Sequence, residues 1–196
     1  MIDKNLSEED IKHRYITPAI ENKGWDKKHV RMEFAFTDGR VIFDGNVHDR
    51  KARRRADYLL LDQHNQPIAI VEAKDASKPV GGGMQQAIEY AEILDLPFAY
   101  SSNGEAFVEH DFITGKEATI AIDKFPTPDE LYIRLMNHKQ LTLAQQDIVD
   151  TPFYSDAYSH EPRYYQRIAI NRTVEAVAKG QERVLIVMAT GTGKTY

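Results

Sequence analysis

The apolar run Ile68-Ala69-Ile70-Val71 passes directly into Glu72-Ala73-Lys74, and this junction constrains the chain more than any other feature. A near-continuous apolar run, broken off from what precedes it by Asn65-Gln66-Pro67, reads as a central strand buried on both faces, residues 68–73. Charged groups ending such a strand are costly unless they are functional. Residues two apart on a strand share a face, so Glu72 and Lys74 point the same way. Residues 56–61 form the strand before it, and a hairpin pairing brings Asp57 alongside both.

Two carboxylates so placed suit a hard cation with oxygen ligands. Mg²⁺ fits, because it keeps waters and bridges to phosphate. Such an ion polarises a phosphodiester and helps generate hydroxide from water. Lys74 is then placed to orient that water or to stabilise charge developing on phosphorus. An ordinary surface ion pair is the competing reading, since Asp, Glu and Lys are common and the D…E-x-K spacing alone is weak.

Around this pair the sequence predicts a mixed sheet. Ser7-Glu8-Glu9-Asp10 has the form of a capping box that opens a helix. Ile11, Tyr15 and Ala19 follow at helical spacing, with Ile16 and Ile20 beside them, and Gly24 ends the helix ahead of Trp25. Residues 30–36 alternate as a strand, and Asp38-Gly39 signals a hairpin that returns over 40–43. Val80-Gly81-Gly82-Gly83 is a loop, 84–94 a helix, 98–101 a strand, and Asn103-Gly104 a turn into a strand over 106–110. Helix, three or four strands, helix, strand, strand is an α/β order, a mixed sheet with helices on its faces. After a break at 126–128 the pattern predicts a helix over 129–139, a polar linker or lid over 141–160, a helix over 163–179 stopped by Gly180, and an apolar strand over 184–188.

That last strand leads into Ala189-Thr190-Gly191-Thr192-Gly193-Lys194-Thr195. Strand-to-glycine-loop is the context of a phosphate cradle, in which backbone N–H groups wrap the phosphates, Lys194 reaches the outer oxygens and Thr195 ligates Mg²⁺. The strict pattern asks for glycine where this chain has Met188. No acidic segment follows to complete the Mg²⁺ site, so this chain is expected not to hydrolyse ATP.

On the helix after Glu72, Gln86 and Tyr90 lie four apart on one face. They are placed to contact phosphate or brace Lys74; a plain polar helix face is the alternative. The densest basic run, Arg50 to Arg55 with Arg53, Arg54 and Arg55 nearest Asp57, either meets DNA phosphates or decorates a solvated strand edge. Glu8 either faces a metal or serves helix capping, and capping explains its cluster more simply. The seven histidines show no metal-ligand spacing.

Composition excludes several classes. With 196 residues, 42% hydrophobic and 28% charged, the chain is an ordinary globular protein of one domain and part of another. It has no cysteine, so thiolate zinc sites and disulfides are out. A net charge of −5 argues against simple coating of nucleic acid. The first ten residues lack the basic and apolar regions of a signal peptide, and no apolar run approaches a membrane span, so no membrane and a cytoplasmic location are expected.

Ala56-Asp57 with Glu72-Ala73-Lys74 resembles the PD-(D/E)xK nuclease superfamily, with Ala56 where the pattern has proline. That resemblance implies a restriction-endonuclease-like core and makes the backbone carbonyl of Ala73 a further metal ligand. Gln86 and Tyr90 match the Q-x-x-x-Y motif of its RecB-like branch. The loop at 189–195 is similar to that of superfamily 2 helicases, which tolerate a residue such as Met188, and Arg163-Tyr164-Tyr165-Gln166 resembles their adenine-reading segment, with Gln166 the contact. In this order the motifs resemble the R (restriction and motor) subunit of type I restriction enzymes, as do Asp10-Ile11-Lys12, Ile16-Thr17-Pro18-Ala19 and Gly24-Trp25. The resemblance implies a nuclease domain over 1–140, a linker over 141–160, and the truncated start of a P-loop, RecA-like motor domain over 161–196. It also implies Mg²⁺ and ATP as cofactors, double-stranded DNA as substrate, and modification and specificity subunits as partners. A nuclease–helicase of another DNA defence or repair system, or a DNA-binding or assembly module inactive without partners, are the alternatives.

Overall fold

A computed structural model describes residues 2–37, 41–44, 47–50, 53–152, 162–188 and 192. The chain divides into two compact units, 1–139 and 140–196.

The first unit is built on a six-stranded mixed sheet in the order β1-β4-β5-β6-β7-β8. Its strands are β1 (Val30–Thr37), β4 (Arg53–Leu61), β5 (Pro67–Ala73), β6 (Phe98–Ser102), β7 (Ala106–Asp111) and β8 (Lys116–Ala121). β5 and β6 are parallel, and the other neighbours are antiparallel. A parallel pair needs a crossover, and α3 (Met84–Leu94) supplies it, packing on β5 and β6. The α/β mixed sheet flanked by helices is therefore as the sequence predicts.

Register makes the core. Tyr58 pairs with Val71 and Leu60 with Ala69, and the same rows continue into Tyr100 and Phe98. All six belong to one buried cluster with Ile11, Ile16, Ile20, Trp25, Phe107 and Phe125. Trp25 is 1% exposed and gives its indole N–H to the carbonyl of Pro126 at 2.9 Å. This single bond lets a large polar-tipped ring be buried.

The first helix has an internal fault. α1 (Glu8–Ile11) runs through a π turn at Lys12–Ile16 into α2 (Thr17–Glu21). The N–H of Thr17 reaches back five residues to Lys12. Pro18 stands just behind this turn, with no N–H to give and a ring that crowds the carbonyl four residues back, and widening the turn is the relief. The extra residue moves the buried stripe from Ile11 to Ile16 and Ile20, and Tyr15 is left only half-buried. Gly24 stops the chain at φ 85°, where a side chain would be strained.

Three local expectations are corrected. β1 pairs with β4 rather than with the segment after it; β2 (Val41–Asp44) and β3 (Val47–Arg50) form a separate two-stranded sheet. The turn at 38–39 lies outside the described residues. The polar linker expected over 141–160 holds a capped helix, α5 (Leu143–Asp150), whose Thr142 and Gln145 bond reciprocally to backbone N–H groups. In the second unit α5 packs with α6 (Tyr164–Ala178). The apolar residues 184–188 form no strand: Leu185 and Val187 are 87% and 84% exposed. A strand exists only through a ladder, and among the described residues no sheet includes this segment. β8, with one half-buried residue, carries too little apolar pattern for sequence to reveal it. Among the described residues no helix is long and apolar enough to cross a membrane.

Trp25 is the sole tryptophan, so its fluorescence reports this unit alone. Trp25→Ala is expected to cost about 3–5 kcal/mol, measured by urea unfolding followed by circular dichroism, while the wild-type emission should shift to the red in the same transition.

Candidate active site

The β4–β5 ladder ends at the pair Tyr58–Val71. Beyond it lie Asp57 on one strand and Glu72, Ala73 and Lys74 on the other. Where a longer strand would have continued the ladder, the side chain of Asp57 takes over: its Oδ2 accepts the N–H of Ala73 at 2.8 Å. This bond brings Asp57 against Glu72, as the sequence predicts. Glu72 is 1% exposed, and its Oε1 has no hydrogen-bond partner among the described residues. Burial, and then the neighbouring charge of Asp57, push its carboxyl up to about 9, with Lys74 pulling the other way.

Lys74 is held from two sides. Its Nζ donates to Gln86 Oε1 at 3.4 Å and lies 4.0 Å from Glu8. Gln86 in turn donates to the hydroxyl of Tyr90 at 3.2 Å. Tyr90 packs edge-on to Phe36 at 5.1 Å and lies under the guanidinium of Arg54 at 5.6 Å. The structure therefore links Asp57, Glu72, Lys74, Gln86 and Tyr90 into one constellation. Gly83 makes room for it. A Cβ there would lie 3.1 Å from Lys74 Cε, 3.2 Å from Glu72 Cβ and 3.0 Å from Ser101 Oγ, and Ser101 fastens the loop by bonding Gly83 N–H and the Val80 carbonyl.

Sequence reasoning missed part of the site. Lys12 is 2% exposed, and its ammonium meets Glu9, Glu33 at 2.6 Å and Asp57 Oδ1 at 3.3 Å. Burial works against this charge, but the hydrogen bonds to Glu33 and Glu9 and the field of Asp57 outweigh it and hold its pKa above the ordinary lysine value. Glu33 has φ 53° in the middle of β1, between the pairs Met32–Tyr58 and Phe34–Ala56. A non-glycine residue there costs about 1–3 kcal/mol, and its ion pairs to Lys12 and Arg55 hold it. The available signal was a lysine set between the buried positions Ile11 and Ile16. Glu8 also belongs to the site rather than to capping, because Ser7 and Asp10 make the capping box by themselves. Burial, then Asp57, raise its carboxyl.

Of the basic run, Arg54 bonds Glu89 at 2.7 Å, Arg55 bonds Glu33 at 3.0 Å, and Arg53 is exposed. Gly191, Gly193, Lys194 and Thr195 lie outside the described residues. Gln166 gives its amide to the carbonyl of Thr192 at 3.1 Å, and its Oε1 accepts the N–H of Arg163.

A second acidic cluster sharpens the contrast. Glu109 and Asp111 are buried too, but Arg134 bonds Glu109 twice, at 2.9 and 2.8 Å, and Asp111 at 2.9 Å, while Tyr100 gives its hydroxyl to Glu109 at 2.5 Å. That cluster is satisfied and reads as structural; the one at Glu72 is not.

Residues 7–126 match the family described as the type I restriction enzyme R protein N terminus. The chain belongs to the R protein family of type I restriction enzymes. Residues 159–196 of this R-protein chain match a second family, the res subunit of type III restriction enzymes. The chain is 44% identical to the endonuclease subunit of the type I restriction enzyme EcoAI of Escherichia coli, over 98% of this chain and 24% of that protein. It is 26% identical to the EcoKI endonuclease subunit of Escherichia coli strain K12, over 97% of this chain and 20% of that one. A solved fragment assigned as an HsdR subunit of a type I restriction enzyme from Vibrio vulnificus YJ016 superposes with a TM-score of 0.81 at 48% identity, covering 97% of this chain and 36% of the other. This chain thus spans a quarter or less of the length of the curated relatives.

The carboxyl of Glu72 makes a prediction with a definite sign. Its folded value, about 9, exceeds its unfolded value, 4.5. Between those values the folded state holds one more proton, so stability falls as pH rises through that window. In metal-free buffer, wild type should lose melting temperature relative to Glu72→Gln between about pH 6 and pH 9. Parallel curves would show that Glu72 titrates normally.

Proposed function

We propose that this chain carries the DNA-cleaving site of a type I restriction enzyme and hydrolyses phosphodiester bonds of double-stranded DNA with Mg²⁺. The observation that carries the reading is the orphaned, desolvated Glu72 carboxylate oxygen beside Asp57 at the end of an apolar strand. A buried pair of carboxyls of this kind must either hold a proton or bind a cation. The donor set fits a hard ion: carboxylate oxygens of Asp57 and Glu72 and the backbone carbonyl of Ala73. Among the described residues no group of three His, Cys, Asp or Glu side chains converges as a metal-binding set, so waters would have to complete the shell of such an ion. Bound Mg²⁺ would supply Lewis-acid polarisation of the phosphate and acidify a water.

The chain's own groups do the rest. Asp57, fixed by the Ala73 N–H, and Glu72, fixed by the rigid strand, hold the ion's ligands in place. Lys74, tethered by Gln86, presents an ammonium to the attacking water and to the charge that grows on the phosphoryl oxygens. Tyr90 braces Gln86 and so aims Lys74. The water oxygen adds to phosphorus, its proton leaves to solvent, one P–O ester bond breaks, and the departing oxygen is protonated. Arg53, and Arg54 and Arg55 when released from their carboxylates, lie near enough in sequence to Asp57 to meet the DNA backbone.

The wider reading follows the family. Residues 1–140 form the nuclease domain, 141–160, which hold the helix α5 and not only irregular chain, lead into the next, and 161–196 begin the ATP-driven motor, with Gln166 and the loop Gly191, Thr192, Gly193, Lys194 and Thr195 for nucleotide. The complete subunit acts in the cytoplasm with modification and specificity subunits.

Two experiments test this. Plasmid nicking with Mg²⁺ should fall at least about a hundredfold in Asp57→Ala and in Lys74→Ala; if the chain needs its partner subunits to cut, the same variants in the assembled complex decide, and activity persisting there sinks the assignment. Because Glu72 is protonated below about 9, ion binding must displace that proton. Calorimetry in two buffers of different ionisation enthalpy should show about one proton released per Mg²⁺ near pH 7.5, and none in Glu72→Gln.

A further inference from the structure

One buried charge has no task in that chemistry. Lys12 belongs to the first helix, yet its ammonium ends among three acids from three places in the chain: Glu9 on its own helix, Glu33 on β1 at 2.6 Å, and Asp57 on β4 at 3.3 Å. An ammonium has three donors, and here each has a carboxylate. The π turn that begins at Lys12 and the left-handed backbone at Glu33 are both departures from regular structure, and both fall on this cluster.

Asp57 is the acid that the cluster shares with the proposed metal site. One of its oxygens is committed to the Ala73 N–H and the other to Lys12. Nucleases that load two ions place them about 3.5–4 Å apart, and a carboxylate of the site bridges them. In this chain the side of Asp57 turned toward Glu33 and Glu9 already holds a positive charge, fixed to the fold and repelling any cation that approaches.

We propose that Lys12 is a positioning residue that fills, with its own ammonium, the seat between Asp57, Glu33 and Glu9 that a second divalent ion would take, so that the site loads one ion. The inference rests on Asp57 and Glu72 being metal carriers. Lys12 acts through Asp57: it neutralises the acids on that side, holds Asp57 in place, and leaves Glu72 as the group still lacking a cation.

The test counts ions rather than cleavage. Bound Mn²⁺ per chain is measured by electron paramagnetic resonance for wild type, Lys12→Ala, Lys12→Arg and Glu33→Gln, with Asp57→Ala subtracting ions held elsewhere and circular dichroism checking the fold. One ion is expected in wild type and in Lys12→Arg, and two in Lys12→Ala, where the freed acids receive the second. One ion in both wild type and Lys12→Ala overturns the proposal and leaves the metal site standing; no ion in either overturns both. Two ions in wild type overturns the proposal as well. If Lys12→Ala does not fold, Glu33→Gln decides. Unchanged Mn²⁺ affinity is expected, because Glu33 serves Lys12 and not the ion, whereas a loss of about tenfold or more makes Glu33 a ligand and overturns the proposal.

Discussion

The bond from the Ala73 N–H to the Asp57 carboxylate is the constraint on which the site depends. The β4–β5 ladder stops one residue short of Asp57. From there a side chain does the work of a backbone carbonyl, joining the strands while leaving a carboxylate, rather than a peptide group, facing the gap. Glu72 and Lys74 occupy the same gap because they continue a strand already buried on both faces. The position of the candidate site is thus a consequence of where two strands stop pairing.

This arrangement trades stability for charge. The cluster of Arg134 with Glu109, Asp111 and Tyr100 shows how the same sheet buries acids when nothing more is required of them: every carboxylate has donors. At Glu72 one oxygen has none among the described residues. The neighbouring parts of the site absorb some of the strain. Lys12 neutralises the far side of Asp57, Gly83 leaves the space that Lys74 and Glu72 fill, and Ser101 fixes the loop that carries Gly83. The π turn at Lys12, the positive φ at Glu33 and the missing side chain at Gly83 are small local departures beside an apolar core that runs from Trp25 to Phe125.

Legibility in the sequence followed the range of the interaction. The helix over 84–94 and the central strands were readable because periodicity and end signals are local. The pairing of β1 was not. Asp38-Gly39 is a valid hairpin signal, but Arg53 to Leu61 offered β1 a longer partner with a buried second half, and β2 paired with β3 instead. The segment 184–188 failed for the complementary reason: apolar content alone does not make a strand, and among the described residues no sheet includes it.

For the candidate site, the sequence by itself determined which groups stand together. Asp57, Glu72, Lys74, Gln86 and Tyr90 stand at spacings that one hairpin and one helix bring together, and short-range geometry was enough to group them. Only the tertiary structure decided what surrounds them. Lys12, Glu8 and Glu33 come from a helix and an edge strand far from Asp57 along the chain. Their approach depends on a π turn and a left-handed residue that no periodicity announces. Whether a charge is buried, and against which other charge, is set by packing between distant segments, and that is information a local pattern does not contain.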